Sequence, residues 1–209
     1  LERILSRGRD YAFLAILREG LGDRRGSLEY LHRATADYQA TSSPSFLARA
    51  GVMYVRAGDL TRAQRALDTA LRQFAASNQS VSYHARLLEG ELLLARGDHD
   101  RAIALLSKTD AELVGQPLET GASLGHAYDR AGRDEMVMRT YEAIADQNAA
   151  GWEFQHAWFS QQYRLAELYA QRGERGQAAA RLDRMLELWR NGDPSLPLLV
   201  AAKKLRDAL

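Results

Sequence analysis

A chain of 209 residues that is 46% hydrophobic and 26% charged can bury a core, as one or two compact domains or as one elongated array. Its formal net charge of +1 gives no basis for a nucleic-acid or anionic-membrane partner, and the absence of cysteine excludes disulfides and thiolate chemistry. The longest apolar stretches, such as LPLLVAA at 196–202, fall far short of the roughly 20 residues that span a bilayer.

The first residue is Leu1, and no basic segment followed by an apolar one opens the chain. We therefore read it as a piece of a longer protein or a processed one. A cytoplasmic location is favoured, although a cysteine-free chain tolerates either redox environment.

In chain order, five segments recur: LGDRRGSLEYLHRAT from Leu21, AGDLTRAQRALDTAL from Ala57, RGDHDRAIALLSKT from Arg96, AGRDEMVMRTYEAI from Ala131 and RGERGQAAARLDRML from Arg172. Each carries a turn glycine, at Gly22, Gly58, Gly97, Gly132 and Gly173, with intervals of 36, 39, 35 and 41 residues. Five residues after each glycine stands a small or slim residue: Ser27, Ala63, Ala102, Val137, Ala178. Nine after it stands a larger one: Leu31, Leu67, Leu106, Tyr141, Leu182. Seven before it stand Ala15, Gly51, Gly90, Gly125 and Ala166; four before it, Tyr54, Leu93, Tyr128 and Tyr169, with Arg18 the exception. The pattern predicts helix–turn–helix units in which a small residue marks a close helix crossing and a large one fills the groove beside it. The turn glycine ends the first helix in a left-handed cap, and Asp23, Asp59 and Asp98 can accept N–H groups of the next helix.

These offsets resemble the tetratricopeptide repeat, most clearly at Leu47, Gly51, Tyr54, Gly58, Asp59, Ala63, Leu67 and Ala70. The resemblance implies an all-α superhelical solenoid of five repeats, at about 8–41, 44–77, 83–114, 118–150 and 153–192. Pro44 is placed to begin a helix; AASNQS at 75–80 and VGQP at 114–117 read as connections. A capping helix is expected over about 195–209, from Pro194 or Pro197, with Leu198, Val200, Ala201, Leu205 and Leu209 as its apolar positions. The whole is read as a single repeat domain.

GWEFQHAWFS at 151–160 holds Trp152, Phe154, Trp158 and Phe159. Phe154, Trp158, Leu165 and Tyr169 share one side of a helix starting near Glu153, so Phe154 and Trp158 are assigned to the core. Trp152, Phe159 and Tyr163 fall on a neighbouring face and are read as a partly exposed aromatic surface, of the kind that anchors interfaces, with simple packing against the fourth repeat as the alternative.

Catalytic and metal patterns are missing from the sequence. The five histidines are spread singly, no HExxH occurs, and GDHD at 97–100 occupies the same turn as GDLT and GDRR. No cofactor is expected and the chain is not read as an enzyme.

The resemblance also implies where a partner would sit. First helices line the concave side of such stacks, which places Ala12 and Ile16, Ala48 and Val52, Leu87 and Glu91, Ala122 and His126, and Tyr163 and Glu167 toward a groove. Arg56, Arg130 and Arg164 neighbour them. Family members that clamp a peptide carboxylate use asparagine and lysine there, and this sequence departs from them. Residues 163–209, with LELWRNGDPSLP, resemble the C-terminal end of repeat regions attached to bacterial serine/threonine protein kinases. The function implied is a protein- or peptide-binding module within a larger bacterial signalling protein; self-association and, less so, a small-ligand sensor or helical enzyme are the alternatives.

Overall fold

Five glycines with positive φ, Gly22, Gly58, Gly97, Gly132 and Gly173, punctuate the chain at the five expected turns. At Gly58 the N–H donates to Val55 O at 2.9 Å, and the N–H of Asp59 reaches back to Tyr54 O at 2.8 Å. This pair of bonds satisfies the last carbonyls of a helix and turns the chain sharply into the next one. The same pair recurs at all five glycines, for instance Gly173 to Ala170 and Glu174 to Tyr169. No Cβ would clash at any of these turns, so the left-handed backbone, and not crowding, is what calls for glycine.

The structure, a computed structural model, describes residues 2–36, 43–113, 117–145 and 155–209. Among them it is all α, with no strand. The helices in order are α1 Glu2–Gly20, α2 Arg24–Ala36, α3 Pro44–Arg56, α4 Leu60–Ala76, α5 Tyr83–Ala95, α6 His99–Glu112, α7 Pro117–Arg130, α8 Asp134–Ala145, α9 Gln155–Gln171, α10 Arg175–Leu188 and α11 Pro197–Ala208. They form two compact units, residues 1–113 and 114–209. The first contains three antiparallel hairpins, α1–α2, α3–α4 and α5–α6; the second contains α7–α8 and α9–α10, with α11 packed on α10 and α9. This is the helical-hairpin solenoid architecture with a capping helix that the repeat pattern predicts.

Packing follows the same register. Ser27, Ala63, Ala102, Val137 and Ala178 are all buried, as are Leu31, Leu67, Leu106, Tyr141 and Leu182. Three glycines sit at crossings where a Cβ would intrude: Gly51 against Leu88, Gly90 against Leu106, and Gly125 against Tyr141. Here glycine is needed for close approach, which lets the large residue of the facing helix seat fully.

Several local expectations change. Asp23 and Asp59 do cap the next helix, accepting from Gly26 N–H at 2.8 Å and Arg62 N–H at 2.9 Å. Asp98 makes no side-chain cap; its carboxylate takes a hydrogen bond from Arg101 instead. The end of α4 is closed by Asn78 at φ 52, with Gln79 N–H donating to Phe74 O. Asparagine there does what glycine does at the other turns, because its short polar side chain tolerates the left-handed region. The capping helix begins at Pro197 and buries Leu199 and Ala202, while Val200 is half exposed. Leu198, Ala201, Leu205 and Leu209 of the expected stripe are half-buried, and the deepest positions stand one residue on at Leu199 and Ala202, since several neighbouring positions of LPLLVAA are apolar and only the packing chooses among them. Trp158 is buried as expected; Phe154 and the expected helix start at Glu153 lie outside the described residues.

Candidate functional site

In the first unit, the face nominated for binding is only partly open. Ile16 and Val52 are half-buried and Arg56 is exposed, but Leu87 and Glu91 are 5% and 4% exposed. Those two are corrected from groove to interior. Gly51 lets α3 lie close along α5, and α5 is apolar on most of its circumference, burying Leu87, Leu88, Leu92 and Leu94 together. His84, at the start of α5, is pushed down to about 4 by burial, helped by Arg49. It is a neutral packing histidine at pH 7.

The second unit leaves more of its first-helix face available. His126 and Arg130 are exposed one turn apart on α7, and Arg130 has no ion pair among the described residues. Arg164 is occupied: its Nε and NH2 donate to Asp129 Oδ1 at 3.0 and 2.8 Å, and its NH1 reaches Glu167 at 3.4 Å. Asp134, at the start of α8, lies 3.7 Å away. One guanidinium thus ties α9 to α7 and to the following turn. Burial, reinforced by the bonded Glu167 carboxylate, raises the Tyr163 phenol above its ordinary value. Tyr163, Arg164 and Glu167 therefore form a connected network at half-buried positions, and of the residues nominated in this unit His126 and Arg130 are the ones exposed to solvent.

The aromatic surface is not found as expected. Trp152 lies outside the described residues. Phe159 is 5% exposed, with its ring stacked on Trp189 at 3.8 Å and Trp158 edge-on at 5.0 Å. Arg184 stands over the Trp158 ring. Helical phase separates Phe159 from the stripe of Leu165 and Tyr169, but Trp189, from the end of α10, covers it. A tryptophan at the end of a repeat helix was the available signal.

Sequence reasoning missed a cleft of about 660 Å³ in the first unit, between α2 and α4. Its floor includes Leu47, Ala50 and Tyr54 of α3, with the Tyr54 hydroxyl and Thr35 Oγ1 hydrogen-bonded at 2.7 Å. Three arginines of α4, Arg62, Arg65 and Arg72, line its wall. Arg62 is held by Asp59. Burial raises the pKa of that carboxyl, but bonds from the Arg62 N–H and guanidinium outweigh it and bring it below the usual value. His32 lies beside the Tyr54 ring at 5.8 Å; burial and the Arg62 charge lower its pKa, so it is neutral at pH 7. Its Nε2 has no hydrogen-bond partner.

Among the described residues no three His, Asp or Glu side chains gather as a metal site. No helix there is long and apolar enough to cross a membrane.

Residues 48–112 match the family model described as Tetratricopeptide repeat. No curated protein matches the sequence. Among solved structures, a thermophilic tetratricopeptide-repeat protein of Thermus thermophilus superposes with a TM-score of 0.63 at 16% identity, covering 95% of this chain and 98% of that one. A tetratricopeptide repeat protein of Parabacteroides merdae gives 0.62 at 16% identity, over 90% of this chain and 68% of that one. MamA (41-end) of Desulfovibrio magneticus gives 0.51 at 19% identity, over 90% and 97%. At these identities the likeness concerns the fold alone, a tetratricopeptide-like array of helical hairpins.

Proposed function

We propose that this chain is a protein-binding module that receives a peptide segment on its first-helix faces. The observation that carries the reading is how the side chains are divided. The small and large positions five and nine after each turn glycine are buried in packing the hairpins, while Arg56, His126 and Arg130 on first helices are exposed to solvent. A rigid frame with variable exposed positions binds without chemistry. The likeness of residues 163–209 to kinase-attached repeat regions supports placing the module in a larger bacterial signalling protein, as a regulatory or scaffolding segment.

Selection of peptides from a displayed random library against the full chain tests the reading. Peptides that bind saturably and lose about tenfold in affinity on H126A/R130A, a change of about 1.4 kcal/mol, support it. Selected peptides indifferent to that pair and to R56A overturn it.

A second reading, association of copies, is favoured by one feature. Phe13, Leu17 and Leu21 are 37%, 47% and 46% exposed at i, i+4 and i+8 of the first hairpin, forming an apolar stripe of the kind that marks contact surfaces. Light scattering after size exclusion should then show a mass that rises with concentration and returns to monomer in L17E. A monomer at every concentration rules this reading out.

A further inference from the structure

The cleft opens between two second helices, α2 and α4, over Leu47, Ala50 and Tyr54 of α3, and its lining includes none of Arg56, His126 and Arg130 used above. Its cationic wall has a definite geometry. Arg62, Arg65, Thr69 and Arg72 stand at i, i+3, i+7 and i+10, so they share one side of α4. Arg62 is tied to Asp59, and Arg72 NH2 donates to the Thr69 hydroxyl at 3.0 Å. Neither Arg65 nor Arg72 has a carboxylate partner among the described residues. Asp68, the acidic residue in the lining, is engaged by the Gln64 amide at 2.8 Å.

Two unpaired guanidinium groups beside an apolar floor call for a ligand that is anionic at two points and apolar between them. Seven residues of helix separate Arg65 from Arg72, a rise of about 10 Å. One phosphate or one carboxylate is too small to meet both. About three residues of extended chain in the polyproline II conformation cover that distance and bring the side chain back to the same side. We propose that this cleft binds an extended acidic peptide segment, with two carboxylate side chains meeting Arg65 and Arg72 and an apolar side chain between them resting on Leu47, Ala50 and Tyr54.

The Thr35–Tyr54 hydrogen bond gives that floor a fixed shape. Thr35 is also anchored within α2 by its bond to Leu31 O at 2.9 Å, so the wall facing the arginines is held in place. The proposal rests on the reading of the chain as a protein-binding module but uses other residues, and the variants keep the two apart.

The test is fluorescence anisotropy of the full chain with an end-capped octapeptide carrying two glutamates three residues apart and a leucine between them. The expected result is saturable binding that weakens about tenfold when both glutamates become glutamines, and falls further between about 50 and 200 mM salt. R65Q/R72Q should weaken binding of the acidic peptide by a similar factor, while R101Q, whose guanidinium is paired with Asp98 in another turn, and H126A/R130A should leave it unchanged. Equal binding of the glutamine peptide overturns the proposal whether or not R65Q/R72Q folds. So does a folded R65Q/R72Q that binds normally. Complete displacement by pyrophosphate at concentrations where the peptide is half-bound would also overturn it, making the cleft a small-oxyanion site. Loss of binding in H126A/R130A alone would move the peptide to the first-helix face and reject the cleft.

Discussion

Replacing Trp158 by alanine is expected to lower the stability of the second unit by about 3–5 kcal/mol, the cost of truncating a large buried aromatic. The indole is 6% exposed, meets Phe159 edge-on and carries Arg184 over its face. Its Nε1–H donates to Ala145 O at 3.0 Å, which ties α9 to the end of α8. Removing the side chain opens a cavity and breaks that tie together. W158F separates the two contributions. It keeps most of the ring volume, and Ala145 O retains the Gln162 amide at 3.2 Å, so the carbonyl is not orphaned. The phenylalanine variant should therefore lose only about 1 kcal/mol for its missing hydrogen bond, together with some packing. Chemical denaturation followed by circular dichroism reads both. A W158A midpoint equal to that of the native chain would show that Trp158 does not anchor α9.

The second large effect is expected at Gly125. A Cβ added there would lie 2.0 Å from Tyr141 Cε1 and 2.6 Å from Cδ1, and Tyr141 is 6% exposed. An aromatic ring cannot bend away as an aliphatic chain end can, and close packing around it blocks a shift of the whole side chain. G125A should cost about 3 kcal/mol, at the upper end of the range for overpacking. That holds even though alanine is favoured over glycine within a helix by roughly 1 kcal/mol. At Gly51 the nearest atoms are Leu88 methyls, the nearest at 2.3 Å, so G51A should cost less. Shortening the ring provides the decisive control. In a Y141L background the clash is relieved, and G125A should become nearly neutral. If G125A costs the same in both backgrounds, the crossing at Gly125 is not what makes glycine necessary.

The two units were not legible as such from a repeat that runs through both, because the periodic signal is the same on either side of residue 113. Binding residues were legible only in part. Leu87 and Glu91 occupy the same repeat positions as Ala122 and His126, yet they are buried while His126 is exposed. Repeat position assigns a direction about the helix axis and is silent on what lies in that direction. The same limit explains Phe159, which stands apart from the main apolar stripe of α9 but is covered by Trp189 from α10. The cationic cleft was illegible for a further reason. Thr35 and Tyr54 come from different hairpins, and nothing in the spacing of either shows that their hydroxyls meet at 2.7 Å beside the arginines of α4.

What the sequence determined by itself was the local frame. Five glycines needed for left-handed turns, small residues five after them and large ones nine after them define each hairpin, because those constraints act within about thirty residues and depend on helix geometry alone. What only the tertiary structure decided was exposure and pairing: which groove positions stay open, which carboxylate holds Arg164, which arginines of α4 have no counter-charge among the described residues, and which side of α11 turns inward. The physical reason is that burial and ion pairing depend on the distance between helices brought together by packing, and that distance is set by side chains far apart in sequence.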